Sequence, residues 1–209
     1  MGPIIIFALP WFFRDGKFNH LVQIEASIKN IIFDFGGVIL NIDYTLTENA
    51  FAKLGLKEFD KIYSQALQKE LFDELEKGLI TPAAFRRGVR KLIKAEISDL
   101  QIDTAWNAML LDLPEERVNL LSELKKKYRI FLLSNTNEIH FSFFSTYMKN
   151  KFGFDVFSDL FEKVYVSHKV HMRKPDAEIF ELVLNENNLL RKETLFRAPL
   201  KIPSDVPIT

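Results

Sequence analysis

The pattern of apolar and polar positions divides the chain into three parts. A continuous apolar run at residues 31–33 stops at Asp34, as expected for a central parallel strand that is covered on both faces. From about residue 44 to residue 127 there is no convincing strand, and apolar residues instead recur at helical spacing. Strand patterns then return and alternate with helical segments, at about residues 128–135, 162–169 and 193–196.

Capping signals set the ends of the predicted helices. One helical segment runs from about residue 60 to Gly78, and glycine favours the left-handed conformation that follows many helices. Thr81 is a suitable N-cap and Pro82 a suitable first residue of the next helix. Further helices are predicted at about residues 98–112, 114–128, 138–150 and 175–188.

The order of these elements predicts a doubly wound parallel α/β sheet with a helical cap inserted after the first strand. Ligands of such sheets bind beyond the carboxyl ends of the strands. The predicted parts are an amino-terminal extension outside the domain at residues 1–27, an α/β core at 28–43 and 116–196, a helical cap at 44–115, and an irregular tail at 197–209.

The apolar amino-terminal segment MGPIIIFALPWFF is too short to cross a bilayer, and Pro3 and Pro10 interrupt it. It lacks the basic start and small-residue cleavage site of a secretory signal. The 28 basic and 28 acidic side chains cancel, which argues against nucleic acid or an anionic membrane as a partner. The absence of cysteine excludes disulfides and thiolate metal sites. The sequence thus predicts a cytoplasmic protein and leaves its oligomeric state open.

Polar side chains with complementary chemistry stand at the ends of predicted strands and before a helix. An aspartate can attack a phosphoryl group and form an aspartyl-phosphate. Hydroxyl, amide and ammonium groups can stabilise the charge that spreads over the phosphoryl oxygens. Because nucleophile and phosphate are both anions, such a site also needs a cation, usually Mg²⁺. The residues are Asp34, Ser134, Asn135 and Lys174.

Three motifs carry these residues in order, namely IIFDFGGV, LLSNTN and MRKPDAEIF. In this order, and in the helical insert after the first motif, the chain resembles the haloacid dehalogenase (HAD) superfamily, in particular its cap-bearing phosphatases. The resemblance covers about residues 28–196. It implies a Mg²⁺-dependent phosphatase that acts on a small phosphorylated metabolite, such as a sugar phosphate.

The resemblance also implies a role for each site residue. Asp34 would be the nucleophile and a magnesium ligand, and the backbone carbonyl of Gly36 would be a second ligand. Ser134 and Asn135 would hold the phosphate. Lys174 would stabilise both the nucleophile and the phosphate charge.

The chain departs from the family pattern in two places. Most phosphatases of the superfamily have an acidic residue two positions after the nucleophile, where this chain has Gly36. Asp43 is a candidate substitute acid, although a polar residue at the cap entrance is the simpler interpretation. The acidic motif expected after ETLF is also missing, and Asp205 is the one acid of the tail RAPLKIPSDVPIT. We therefore expect a truncated domain with an unpaired strand edge, weak Mg²⁺ binding and impaired activity.

Two alternatives to the phosphatase remain open. A 2-haloacid dehalogenase also uses a lone aspartate and needs no metal, but it usually has an arginine soon after the first motif. No arginine occurs between Asp34 and Arg86. The other alternative is a catalytically defective paralogue that keeps only the fold.

Other conspicuous side chains have simple structural interpretations. His168 and His171 are interpreted as surface residues rather than metal ligands. Trp106 is interpreted as a core residue of the cap, with a place in the substrate pocket as the alternative. Arg86 and Arg87 are interpreted as a solvated helix face, with substrate contact as the alternative.

Overall fold

The computed structural model describes residues 5–6, 28–56, 66–94 and 96–198. It contains one parallel five-stranded sheet in the spatial order β1-β5-β2-β3-β4. The central position of β2 explains why its apolar run has no polar face. The strands are β1 (Ile5–Ile6), β2 (Asn30–Phe33), β3 (Arg129–Ser134), β4 (Lys163–Val166) and β5 (Thr194–Arg197).

Helices connect the strands, and four of those described lie between β2 and β3 in the region predicted as a cap. The predicted α/β fold with a helical insertion is therefore confirmed, with the insertion following β2. The helices are α1 (Tyr44–Lys53), α2 (Ala66–Glu76), α3 (Pro82–Ile93), α4 (Asp99–Asn107), α5 (Glu115–Lys125), α6 (Glu138–Phe152), α7 (Val156–Leu160), α8 (Ser167–Val170) and α9 (Ala177–Glu186), with a 3₁₀ turn at Arg191–Glu193.

The predicted capping residues have their expected roles. Thr81 Oγ1 accepts a hydrogen bond from Ala84 N at 3.2 Å, and Pro82 is the first residue of α3. Gly78 has a φ of +65° just after α2. Local capping chemistry therefore determines these two ends.

Two boundaries and one edge differ from the sequence-based expectation. The predicted strand at residues 162–169 ends at Val166, because Ser167 already begins α8. Arg197 belongs to β5 rather than to the tail, and residues 199–209 lie outside the described ranges. Ile5–Ile6 pair in parallel with β5, so the expectation of an unpaired edge there is wrong. The rest of the extension at 1–27 also lies outside the described ranges.

The cap has a hydrophobic cluster of its own. Trp106 lies at its centre, with the rings of Phe51, Phe72 and Phe85 at centroid distances of 6.3, 5.2 and 5.5 Å. Two further clusters cover the two faces of the sheet, one around Ile31 and one around Ile32. No helix in the described ranges combines the length and apolar character that a membrane crossing requires.

The end of α2 packs directly against the core. A Cβ atom at Gly78 would lie 2.1 Å from the carbonyl oxygen of His168, so this contact requires glycine. His171 Nδ1 lies 2.8 Å from the carbonyl oxygen of Lys77. The surface interpretation of His168 is wrong, because its side chain is buried and lies 3.2 Å from Glu138 Oε2.

His140 joins core helix α6 to the cap. Asn137 Oδ1 accepts from His140 N at 3.1 Å, so Asn137 Nδ2 donates to His140 Nδ1 at 3.2 Å. His140 Nε2–H therefore donates to the carbonyl oxygen of Trp106 at 3.0 Å, and the two rings stack at 4.8 Å. Burial lowers the pKa of His140 from 6.5 to about 4.

This buried neutral imidazole predicts acid sensitivity of the fold. The unfolded chain protonates His140 near its ordinary pKa of 6.5, whereas the folded chain does so only near pH 4. The unfolded state therefore binds more protons between these values, and the free energy of unfolding should fall by on the order of 3 kcal/mol as pH drops through this window. Urea titrations across the window should show a shallower pH dependence for His140→Gln. Equal slopes in the two proteins would contradict this role.

Candidate active site

The carboxyl edge of the sheet brings the predicted catalytic residues together. Asp34 follows β2, Ser134 ends β3, and Lys174 lies in the loop before α9. The backbone of Asp34 continues the sheet, since its N–H donates to the carbonyl oxygen of Arg197 at 2.8 Å. Phe35 N donates to Asp34 Oδ1 at 2.7 Å and orients the carboxylate.

Asp34 and Lys174 form a mostly buried ion pair. Lys174 Nζ lies 2.6 Å from Asp34 Oδ1, and the two side chains are 13% and 17% exposed. The ammonium also donates to the carbonyl oxygen of Leu133 at 2.9 Å and lies 5.5 Å from the ring centroid of Phe196. Burial lowers the pKa of Lys174, while the charge of Asp34 raises it and so opposes this effect. The pair thus holds a carboxylate beside a fixed cation, as the predicted roles of Asp34 and Lys174 require.

Asn135 uses both ends of its amide to hold Lys174. Its Nδ2 donates to the carbonyl oxygen of Lys174 at 2.8 Å, and its Oδ1 accepts from Lys174 N at 2.9 Å. These bonds position the lysine backbone, and Asn135 also lines the cavity described below, so its phosphate-binding role stays a prediction. Ser134 is buried, and its hydroxyl makes a long hydrogen bond of 3.4 Å to the carbonyl oxygen of Asn135.

A tight turn follows Asp34. Gly37 has a φ of +75° and donates from its N–H to the carbonyl oxygen of Leu40 at 2.8 Å. A Cβ atom at Gly36 would lie 3.3 Å from Ile42 Cδ1, closer than ordinary contact. The two glycines therefore let the loop fold back beside the nucleophile.

A cavity of about 90 Å³ lies between the core and the cap. Asp34 and Lys174 do not themselves line it, but Phe35 and Gly36, which follow Asp34, and Asn135, which binds the Lys174 backbone, do. Core and cap both contribute polar and apolar groups to its walls, so Trp106 is at once a cap-core residue and a wall of the cavity. The lining residues that bear on the chemistry are Gly36, Tyr44, Glu76, Trp106, Met109, Ser134, Asn135, Thr136 and His140.

Several candidate residues do not line this cavity. Asp43 Oδ1 caps α1 by accepting from Thr45 N at 3.0 Å and Thr45 Oγ1 at 2.7 Å, so the simpler interpretation of Asp43 is correct. Arg86 forms an ion pair with Asp103 at 2.7 Å. Asp205 lies outside the described residues.

Glu76 also lines the cavity, although no motif in the sequence pointed to it. The side chain is 16% exposed and lies at the carboxyl end of α2. A negative charge opposes the helix dipole at such an end. An acidic residue at this unfavourable position was the one feature of the sequence that could have drawn attention to Glu76.

Among the described residues, no carboxylate stands beside Asp34 on the β5 side of the sheet edge. Register pairs Phe33 with Arg197, so Ala198 follows at the level of Asp34. In the described part of the chain no group of three or more acidic or histidine side chains could hold a metal ion. Both predicted metal ligands, Asp34 and the backbone carbonyl of Gly36, lie within the described part of the chain.

Residues 28–196 match the family model described as haloacid dehalogenase-like hydrolase. The chain belongs to this family. It is also 33% identical over 169 residues to D-ribitol-5-phosphate phosphatase from Bacteroides thetaiotaomicron, with 81% of this chain and 82% of that protein covered.

Solved structures show the same fold. A HAD-family enzyme from Bacteroides thetaiotaomicron, crystallised as a mutant with magnesium and inorganic phosphate, is 40% identical with a TM-score of 0.76, and the match covers 81% of this chain and 83% of that one. An L-2-haloacid dehalogenase from Xanthobacter autotrophicus is 17% identical with a TM-score of 0.51, covering 81% and 69%. At 17% identity, the similarity to the dehalogenase shows a shared fold and no more.

The contacts of Asn135 predict a structural penalty for its removal. Asn135→Ala should lower the free energy of unfolding by about 1–3 kcal/mol, because the backbone N–H and carbonyl of Lys174 lose their amide partner. Ser134→Ala is the matched control, since it removes a long hydrogen bond on the neighbouring residue. Urea titrations compare the two. Equal, small losses would mean that the amide does not hold Lys174.

Proposed function

We propose that this chain is a Mg²⁺-dependent phosphatase that hydrolyses a small phosphorylated metabolite through an aspartyl-phosphate. The observation that carries the proposal is the mostly buried Asp34–Lys174 pair, whose neighbours Gly36 and Asn135 line a cavity between the core and the cap. The relatives support it, because one is named a phosphatase and another was crystallised with magnesium and inorganic phosphate.

The proposed substrate is a phosphorylated sugar or sugar alcohol. A relative at 33% identity is D-ribitol-5-phosphate phosphatase. The cavity joins polar groups on Glu76 and Thr136 to the apolar surfaces of Trp106 and Met109. Such a mixture suits a short polyol chain, which has both hydroxyl groups and a carbon backbone.

In the proposed mechanism Asp34 attacks the phosphorus atom in line with the leaving oxygen. Lys174 Nζ offsets the charge of the nucleophile and of the transferring phosphoryl group, from a position that Leu133 and Asn135 fix. The hydroxyl of Ser134 can turn from its long hydrogen bond to donate to a phosphoryl oxygen. A water molecule then attacks the aspartyl-phosphate, releases phosphate and restores Asp34.

Mg²⁺ fits this site in part. Asp34 offers a carboxylate and Gly36 a backbone carbonyl, and Mg²⁺ commonly takes its remaining ligands from water and substrate phosphate. When bound, the ion offsets the repulsion between the nucleophile and the phosphate. Because Arg197 and Ala198 stand where a neighbouring carboxylate would complete the set, we propose that its affinity is low and that activity is correspondingly impaired.

The dehalogenase alternative receives less support. Such an enzyme would need a cation for the carboxylate of its substrate, and among the described residues that line the cavity there is no arginine. Arg86 is paired with Asp103 instead. The remaining alternative is a catalytically defective paralogue. Turnover of a phosphate ester by this chain would exclude it.

Replacement of the nucleophile tests the proposal. Asp34→Asn should lower turnover of p-nitrophenyl phosphate by at least about a thousandfold, because an amide cannot form the aspartyl-phosphate. Asp43→Asn is the matched control, since Asp43 caps a helix and should be dispensable for chemistry. Turnover is measured at saturating Mg²⁺, with folding checked by circular dichroism. Substantial activity in Asp34→Asn would remove Asp34 from the nucleophile role.

A gain of metal affinity tests the proposed weakness of the Mg²⁺ site. Ala198→Asp adds a carboxylate at the level of Asp34 and should lower the half-saturating Mg²⁺ concentration for turnover severalfold. Ala198→Asn has nearly the same shape without the charge and should leave that concentration close to the wild-type value. If the wild type is already saturated at low Mg²⁺, or if both variants behave alike, the affinity proposal is wrong.

A further inference from the structure

The leaving group of a metabolite phosphate needs a proton. An alkoxide is a poor leaving group, so general acids commonly accelerate such steps by about 10²–10⁴-fold. Gly36 cannot supply a proton, and Asp43 is engaged in capping α1 outside the cavity. The donor must therefore come from another element.

Glu76 is the carboxyl group of the cap that lines the cavity. Its side chain is 16% exposed, and Arg173 Nη2 lies 3.0 Å from Oε2. This ion pair lacks hydrogen-bond geometry, and Oε2 makes no hydrogen bond with any other described residue. Glu76 Oε2 is thus buried beside the Arg173 guanidinium, on a residue that lines the cavity.

The surroundings of Glu76 favour its protonated form. Burial raises the pKa of Glu76 and outweighs the opposing charges of Arg173, Lys174 and Lys77. Asp73, one turn earlier on α2, raises the pKa further. Tyr44 of α1 also lies close enough to interact with the charge of Glu76.

Contacts around the end of α2 hold Glu76 in place. Gly78 packs against the backbone of His168, and the carbonyl oxygen of Lys77 contacts His171. Arg173 bridges Asp73 and Glu76. Because Arg173 directly precedes Lys174, one short core segment positions both the catalytic lysine and the cap carboxyl group.

We propose that Glu76 is the proton donor to the leaving oxygen, a role that rests on the proposed phosphatase function. As Asp34 Oδ bonds to phosphorus, the bond between phosphorus and the substrate oxygen breaks, and the Glu76 proton passes to that oxygen. The products are the alcohol, the aspartyl-phosphate and ionised Glu76. In the second step Glu76 accepts a proton from the attacking water, which releases phosphate and restores both carboxyl groups.

The test compares two leaving groups in a single turnover with Mg²⁺. p-Nitrophenolate is stable enough to leave as an anion. The oxygen of ribitol that leaves D-ribitol 5-phosphate, in contrast, needs a proton. Glu76→Gln should therefore slow the release of ribitol by about 10²–10⁴-fold and leave the first release of p-nitrophenol nearly unchanged. Glu70→Gln is the matched control, because Glu70 is an exposed carboxylate on the same helix and does not line the cavity. It should leave both release rates near the wild-type values.

The alternative outcomes separate the possible failures. Equal effects of Glu76→Gln on both substrates, or no effect on either, would overturn the role of Glu76 and leave Asp34 chemistry intact. A wild type that hydrolyses neither ester would overturn the proposed phosphatase function itself.

Discussion

The ion pair between Asp34 and Lys174 is the constraint on which the site depends. Breaking such a buried pair by removing one partner commonly costs about 3–5 kcal/mol, because the other charge stays buried without compensation. Three neighbours hold the pair, since Phe35 N orients the carboxylate, Leu133 binds the ammonium and Asn135 fixes the lysine backbone. The carboxyl edge of the sheet is thus built to keep one anion and one cation together.

The cap and the core make different contributions to the chemistry. The core supplies the Asp34–Lys174 pair, at the edge of strands whose register is fixed by the sheet. The cap supplies Glu76 and Trp106, which line the side of the cavity where a leaving group can lie. The close contact between Gly78 and His168 sets the distance between these two sets of groups. In the proposed mechanism, reactivity toward phosphate and choice of leaving group therefore depend on separate parts of the chain.

Local patterns predicted much of this arrangement. An apolar run that ends in Asp34 indicates a central strand with a functional end, and the loop before α9 indicated Lys174. The contact between Asn135 and Lys174 could not be predicted, because the two residues are 39 positions apart in the sequence. Glu76 meets Arg173 through a tertiary contact between cap and core, which helical periodicity does not encode. Ile5–Ile6 likewise join the sheet beside β5, the last strand in sequence.

The most direct test of the account is to identify the phosphorylated residue during turnover. The wild-type chain is mixed with p-nitrophenyl phosphate and Mg²⁺, quenched in acid within the first turnovers, digested and mapped by mass spectrometry. The account predicts one phosphoryl group on Asp34, labile to hydroxylamine as an acyl phosphate is. Turnover without a phosphorylated peptide, or with the phosphoryl group on another residue, would contradict it.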